Sequence, residues 1–253
     1  MKKGKLHVVI YCAILLPFLT ILILSFGQQW FFPSILPGKL TLANWNILLN
    51  DSSILHSMWL SLCIAITVAL ITTSAGFACS RAIAAHKYQS VLVRILYLPF
   101  TLTSIIYGIL LQPYFIMLGL SGKVLGVMIG QSLFIFPYTL IYFQSFWTEN
   151  VREFELLGTT LGATQQQLFL KVLLPMGKSM ILVCLFQTFL ISWFEYGFTN
   201  LIGVGKVKTM TVSIFQYINE ANIYYAALAA FLLIIPPVIF LWMNKRFLYN
   251  KLL

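Results

Sequence analysis

The chain has 253 residues, 60% of them hydrophobic and only 9% charged, with a mean hydropathy of +0.92. A soluble domain carries about 25% charged residues, so a single water-soluble core is excluded as the home of this much apolar surface. A net charge of +10 would suit nucleic acid if the basic residues clustered, but they sit at the ends of apolar runs, which points to membrane topology and to no nucleic-acid partner.

At the N-terminus, Lys2, Lys3 and Lys5 precede an apolar run over residues 6–26. Signal peptides share that layout, but no small-x-small cleavage site closes the run, so an uncleaved first span is expected. With about 20 apolar residues needed per crossing, six spans are predicted: 7–27, 54–79, 92–117, 124–147, 178–202 and 223–244. Between the first two, Pro33, Pro37 and Gly38 predict irregular chain, followed by a short helix over 42–49. Residues 203–222 read as a polar loop. No low-complexity segment or separate soluble domain is evident.

Pro17, Pro99, Pro113, Pro137, Pro236 and Pro237 fall within the predicted spans, where each removes a backbone hydrogen bond that neighbours must replace. Proline is common in membrane helices, so these kinks carry no argument for transport. The charges do set the orientation. Lys2, Lys3, Lys5, Arg81, Lys87, Arg94, Arg152, Lys171, Lys178, Lys245, Arg246 and Lys251 fall on one side, against Lys39, Lys123, Lys206 and Lys208 on the other. Twelve against four places both termini and the 148–176 segment in the cytoplasm.

That segment is the longest stretch that does not read as a span. Asn150 with Glu153 offers a capping box, and Val151, Phe154, Leu157 and Leu161 then recur on one helical face. Gly162 breaks this helix. Thr164 with Gln167 opens a second, carrying Leu168, Phe169, Val172 and Leu173 into Pro175. Two short amphipathic helices at a sharp bend predict a docking surface for another protein.

The segment resembles the EAA loop of the permease subunits of binding-protein-dependent ABC importers. Gly162 is followed by nine residues and then Val172, Leu173, Leu174 and Pro175, as in the family pattern, and Leu161-Gly162-Ala163-Thr164 is similar to its turn. The first half departs: Leu156, Leu157 and Gly158 stand at the Glu-Ala-Ala positions, with Glu155 one place early, so Glu153 or Glu155 would substitute for the family glutamate. The resemblance continues outside the loop, in residues 57–81 (a core helix ending in an arginine), 96–110 and 118–126. The 191–196 segment (ISWFEY) is most similar to the polyamine, ferric-iron and aminophosphonate branch.

The resemblance implies an all-α membrane protein, a type I ABC importer permease with six transmembrane helices and cytoplasmic N- and C-termini. Residues 1–253 would form one transmembrane permease domain with a cytoplasmic coupling loop at about 148–177. It further implies a bacterial cytoplasmic membrane location and half of a translocation pathway. The partners implied are a second permease subunit, homologous or identical, two ATP-binding cassette ATPases and an extracytoplasmic solute-binding protein, within membrane lipid. ATP and Mg2+ would bind the ATPases, leaving this chain without a cofactor and non-catalytic. The coupling residues would be Glu153, Glu155, Leu157, Gly158, Leu161, Gly162, Ala163, Thr164, Leu168, Phe169, Leu174 and Pro175, with Leu161, Leu168 and Phe169 as apolar anchors in an ATPase groove. Gly162 would allow a tight bend that a Cβ obstructs.

Glu195 is the one acidic residue inside a predicted span, flanked by Trp193, Phe194 and Tyr196. An intramembrane carboxylate costs about 2.5–3.5 kcal/mol, so two readings stand side by side. Either Glu195 faces a water-filled pathway, drawing a cation such as a polyamine, thiamine or ferric iron with Trp193 and Tyr196 beside it, or span five ends earlier and the residue sits in an interfacial aromatic belt. Gln112, Gln131, Gln144 and Gln187 suit interhelical hydrogen bonding better than a pathway lining.

Gly177-Lys178-Ser179 resembles the end of a phosphate-binding loop but lacks the earlier glycine and a preceding strand. Cys12, Cys63, Cys79 and Cys184 read as small buried hydrophobes. No metal site is expected of His7, His56 and His86. The rival function is an ion-coupled secondary transporter, which would need an ionisable relay where this chain offers Glu195 alone. An intramembrane enzyme lacks paired carboxylates or a nucleophile with a base.

Overall fold

A computed structural model of the chain describes residues 2–28 and 37–249. Pro33 and Lys251 lie outside them, as do the side chains of His7, Cys12, Lys2, Lys3, Lys5, Lys245 and Arg246. Helix α1 (Lys2–Ser25) leads into two short antiparallel strands, β1 (Gly27–Gln28) and β2 (Lys39–Leu40), which pair Gly27 with Leu40 and Gln28 with Lys39. There follow α2 (Ala43–Leu49), α3 (Ser52–Ala84), α4 (Gln89–Leu96), α5 (Ser104–Met117), α6 (Val124–Gln144), α7 (Glu149–Thr160) and α8 (Gln165–Leu168). The chain ends with α9 (Leu174–Trp193), α10 (Gly197–Gly203), α11 (Met210–Asn219) and α12 (Ile223–Tyr249).

Among the described residues, four helical rods are long and apolar enough to cross a membrane: Ser52–Ala84, Val124–Gln144, Gln165–Trp193 and Ile223–Trp242. The first and third expected spans contain shorter apolar helices, Leu15–Ser25 and Ser104–Met117. The third is not one helix. Proline lacks the N–H that an α-helix needs, and around Pro99 the chain tightens into a 3-10 turn, Leu98–Thr101. Leu102 is then extended, and Thr103 restarts the helix by accepting the Ile106 N–H. The fifth span stops at Trp193, short of residue 202, and a separate helix, α10, begins at Gly197 after the Tyr196 cap. The expected loop 203–222 contains α11, whose cap, Thr209, accepts the Val212 N–H.

Two compact units are present, Met1–Ser61 with Lys208–Ile239 and Leu62–Val207 with Phe240–Leu253. In the first, Trp45 stacks on Phe26 and meets Phe231 edge-on, while Asn44 donates to the Gly27 carbonyl. Ser61 accepts the Met210 N–H at 2.7 Å, and Ser57 pairs with Ser213 at 3.2 Å, so α3 holds the start of α11.

The second unit has two packing centres. At one, Phe198 of α10 is fully buried with its ring against Gly130 of α6, where a Cβ would lie 1.9 Å from the ring. At the other, Phe77 of α3 packs among Phe143, Phe146, Trp147 and Phe169. Gly177 lies against the same ring.

Candidate functional site

The bend between α7 and α8 is built by backbone hydrogen bonds. Gly162 has a φ of +80°, the Gly162 N–H bonds to Thr159 O, and the Ala163 N–H reaches back to Gly158 O, both at 3.0 Å. That pair of bonds with a left-handed residue after the cap is a Schellman motif. Nothing lies within 4 Å of where a Gly162 Cβ would sit. The glycine is therefore required for its φ, and not, as expected, for the room a Cβ would take.

The start of α7 differs from expectation. Thr148 is the N-cap residue, in extended conformation and without a side-chain cap bond, and Asn150 is already inside the helix. A capping residue must have non-helical φ/ψ, so the Asn150–Glu153 box does not form. The second box does. The Gln167 N–H donates to Thr164 Oγ1 at 3.3 Å and the Thr164 N–H donates to Gln167 Oε1 at 3.0 Å.

After α8 the chain widens into a π turn, Phe169–Leu173, where the Leu174 N–H reaches back five residues to Phe169 O. Pro175 follows at once. A proline inside a regular helix clashes with the carbonyl four residues back, and a π turn supplies the local widening that accommodates it. The second helix of the loop thus runs on through Pro175 into the fifth span.

The apolar stripe of α7 turns gradually outward. Val151 is buried and Gly158 lies against Leu168, which is fully buried. Phe154 (51%), Leu157 (59%) and Leu161 (86%) are exposed. Leu168 and Phe169, expected to face a partner, instead hold α8 to α7 and to Phe77, leaving Leu161 as the outward one of the three expected anchors. Leu174 and Pro175 are exposed beyond the π turn, and Glu153 is exposed on α7.

Glu155 takes the ion pair. Its Oε1 lies 2.8 Å from Arg81 Nε, with the side chains 20% and 29% exposed. The contact is a close approach of charges, not an aligned hydrogen bond. A second Arg81 nitrogen donates to Gln165 Oε1 at 2.9 Å. One guanidinium at the end of α3 therefore touches both helices of the loop. One residue earlier, Ser80 accepts from Trp147 Nε1 through its hydroxyl and from Gln144 Nε2 through its carbonyl. Beside these contacts lies a cavity of about 470 Å³ lined by Gln89, Thr148, Arg152 and Leu156 among others. Sequence reading placed Arg81 at a helix end but could not pair it with a residue 84 positions away.

Glu195 lies elsewhere. It is buried (7% exposed) and its carboxylate accepts three hydrogen bonds, from the Phe198 N–H at 2.7 Å, the Thr199 N–H at 2.9 Å and the Thr199 hydroxyl at 2.7 Å. The two N–H groups are orphan donors at the start of α10. Thr199 Oγ1 in turn accepts from Gln131, which accepts from Ser192, so a buried polar network joins α6, α9 and α10. Span five does end early, yet Glu195 is not at an exposed interface. Trp193 is buried and stacked on Phe189, and Tyr196 is half-buried at the cap of α10.

Gln131, Gln144 and Gln187 all make side-chain bonds between elements, Gln187 with Tyr138 of α6. Gly177 lies within α9 against Phe77. Of the cysteines, Cys184 is buried beside Thr73, while Cys63 and Cys79 face outward from α3, contrary to the expectation that all are internal.

No curated protein matches this chain by sequence. Solved structures that share its fold include two from alginate transport. One is the crystal structure of a bacterial ABC transporter that imports the acidic polysaccharide alginate, 17% identical over 96% of this chain and 94% of that one, with a TM-score of 0.70. The other is the bacterial alginate ABC transporter in complex with alginate pentasaccharide-bound periplasmic protein, 15% identical over 97% and 92%, also with a TM-score of 0.70. The family model described as binding-protein-dependent transport system inner membrane component matches residues 76–248, from the Phe77 cluster through the α7–α8 bend into α12. The chain is a permease belonging to that family.

Proposed function

We propose that this permease uses the α7–α8 bend to couple the membrane pathway to cytoplasmic ATPases. The observation that carries the reading is the outward row Phe154, Leu157 and Leu161 on a helix otherwise rooted by Val151, Gly158 and Glu155. Exposed apolar side chains on a braced helix form a docking face, and the positive-inside bias puts that face in the cytoplasm. Two ATP-binding cassette subunits, with ATP and Mg2+, act there. A second permease subunit completes the pathway, and an extracytoplasmic binding protein delivers the solute. Six spans with both termini cytoplasmic complete the topology, with α1 and the broken α4–α5 segment as the two shorter crossings.

For the solute, support for the polyamine, ferric-iron and aminophosphonate branch rests on residues 191–196. Glu195 adds none, because hydrogen bonds from α10 already occupy its carboxylate. The alginate transported by the structural neighbours belongs to those proteins at 17% and 15% identity. The solute class is therefore left to the binding protein.

The coupling test is Gly162→Asp in a co-expressed complex. Aspartate tolerates positive φ better than most residues and its Cβ would have nothing within 4 Å, but it puts charge beside Leu161. The expected result is normal membrane insertion with loss of the co-purifying ATPase. Retention of the ATPase at the wild-type ratio would remove the docking claim.

A further inference from the structure

We infer that Arg81 is the positioning residue that makes the coupling bend and the membrane helix α3 move as one body. The inference rests on the coupling reading above and adds the residue through which displacement of the loop is passed on.

The geometry is particular. Glu155 lies on α7 and Gln165 on α8, on opposite sides of the Gly162 bend, and Arg81 contacts both at 2.8 and 2.9 Å. A planar guanidinium can engage two partners through different nitrogens, here Glu155 by charge and Gln165 by a hydrogen bond, which a lysine ammonium does less well. The bend is otherwise held to itself by the Thr164–Gln167 box and by Leu168 against Gly158. Those contacts keep its shape without fastening it to a membrane helix. Phe169 on Phe77 and Trp147 on Ser80 fasten its flanks to α3. The first turn of α7 is rooted by Val151 in the cluster around Phe77, and the next turn, nearer the bend, is tied to α3 through Glu155.

Pairs on an open surface contribute little. This one differs in being largely shielded, with 29% and 20% of its side chains exposed, and in being shared between two helices. Nearby, Arg152 and Glu149 also line the cavity, but Arg81 is the arginine bonded across the bend. The outward row of α7 faces away from it, so the tie and the docking face can act at the same time.

The test uses the full permease–ATPase complex in lipid nanodiscs, with paired spin labels at Asn150→Cys on α7 and Leu70→Cys on α3. Both positions are exposed, and Cys12, Cys63 and Cys79 are replaced. The label distance is measured without nucleotide and with ATP plus vanadate, in wild type, in Arg81→Gln, and in the exchange Arg81→Glu/Glu155→Arg. A distance that stays constant in wild type, shifts by more than about 2 Å in Arg81→Gln, the scale of helix shifts in switching proteins, and is restored by the exchange supports the inference. A shift in wild type overturns it, because the bend then slides past α3. A constant distance in both wild type and Arg81→Gln overturns it too, because the tie is then dispensable. If no ATPase accompanies the wild-type chain, the coupling reading itself fails, an outcome distinct from either.

Discussion

A carboxylate among hydrocarbon is costly unless its oxygens are satisfied, and at Glu195 the start of α10 supplies the donors. The residue stood out in the sequence because acid inside an apolar run is rare. Its use did not, since the donors belong to a helix hidden in what reads as one continuous span. Glu195→Gln should lose about 1–3 kcal/mol of stability, because its amide nitrogen would face a donor in place of an acceptor. Thermal unfolding of the purified permease checks this, and an unchanged melting temperature would contradict it. Gly130 makes a complementary prediction. A Cβ there would meet the Phe198 ring at 1.9 Å, so Gly130→Ala should destabilise by about 1–3 kcal/mol through overpacking, and Gly130→Ala/Phe198→Leu should recover part of the loss in the same assay.

Elements were legible where their signals are local. The Thr164–Gln167 box lies within four residues and forms as read, as does the short helix before α3. The start of α7 was misplaced because Thr148 and Asn150 are both capping residues two positions apart, and only backbone geometry distinguishes them. The π turn before Pro175 leaves no periodicity signal. The helix α11 was hidden because its polar neighbours made the stretch read as loop. For the bend, a non-glycine residue in the left-handed region costs about 1–2 kcal/mol, so Gly162→Ala should lower stability by about that much and leave ATPase binding intact. Melting temperature and co-purification, measured together, separate that backbone effect from the docking defect expected of Gly162→Asp.

At the scale of the whole molecule, composition was enough to establish a helical membrane protein, and the spacing from Gly162 to Pro175 enough to suggest its family. Contacts between distant positions, such as Arg81 with Glu155 and Gln131 with Thr199, had to come from the folded chain. The two-sided charge distribution predicts a topology that reporter fusions can test. Alkaline phosphatase fused after Gly122 or Lys206 should be active, and fused after Thr160 or Leu253 inactive; activity after Thr160 would put the bend on the wrong side for an ATPase.

The most direct measurement is ATP hydrolysis by the co-purified complex in lipid, with the candidate extracytoplasmic binding protein either loaded or empty. The account predicts that an ATPase accompanies the permease and that one loaded binding protein stimulates hydrolysis, while Gly162→Asp abolishes both the association and the stimulation. A permease that purifies without an ATPase and drives solute uptake from an ion gradient alone would contradict it.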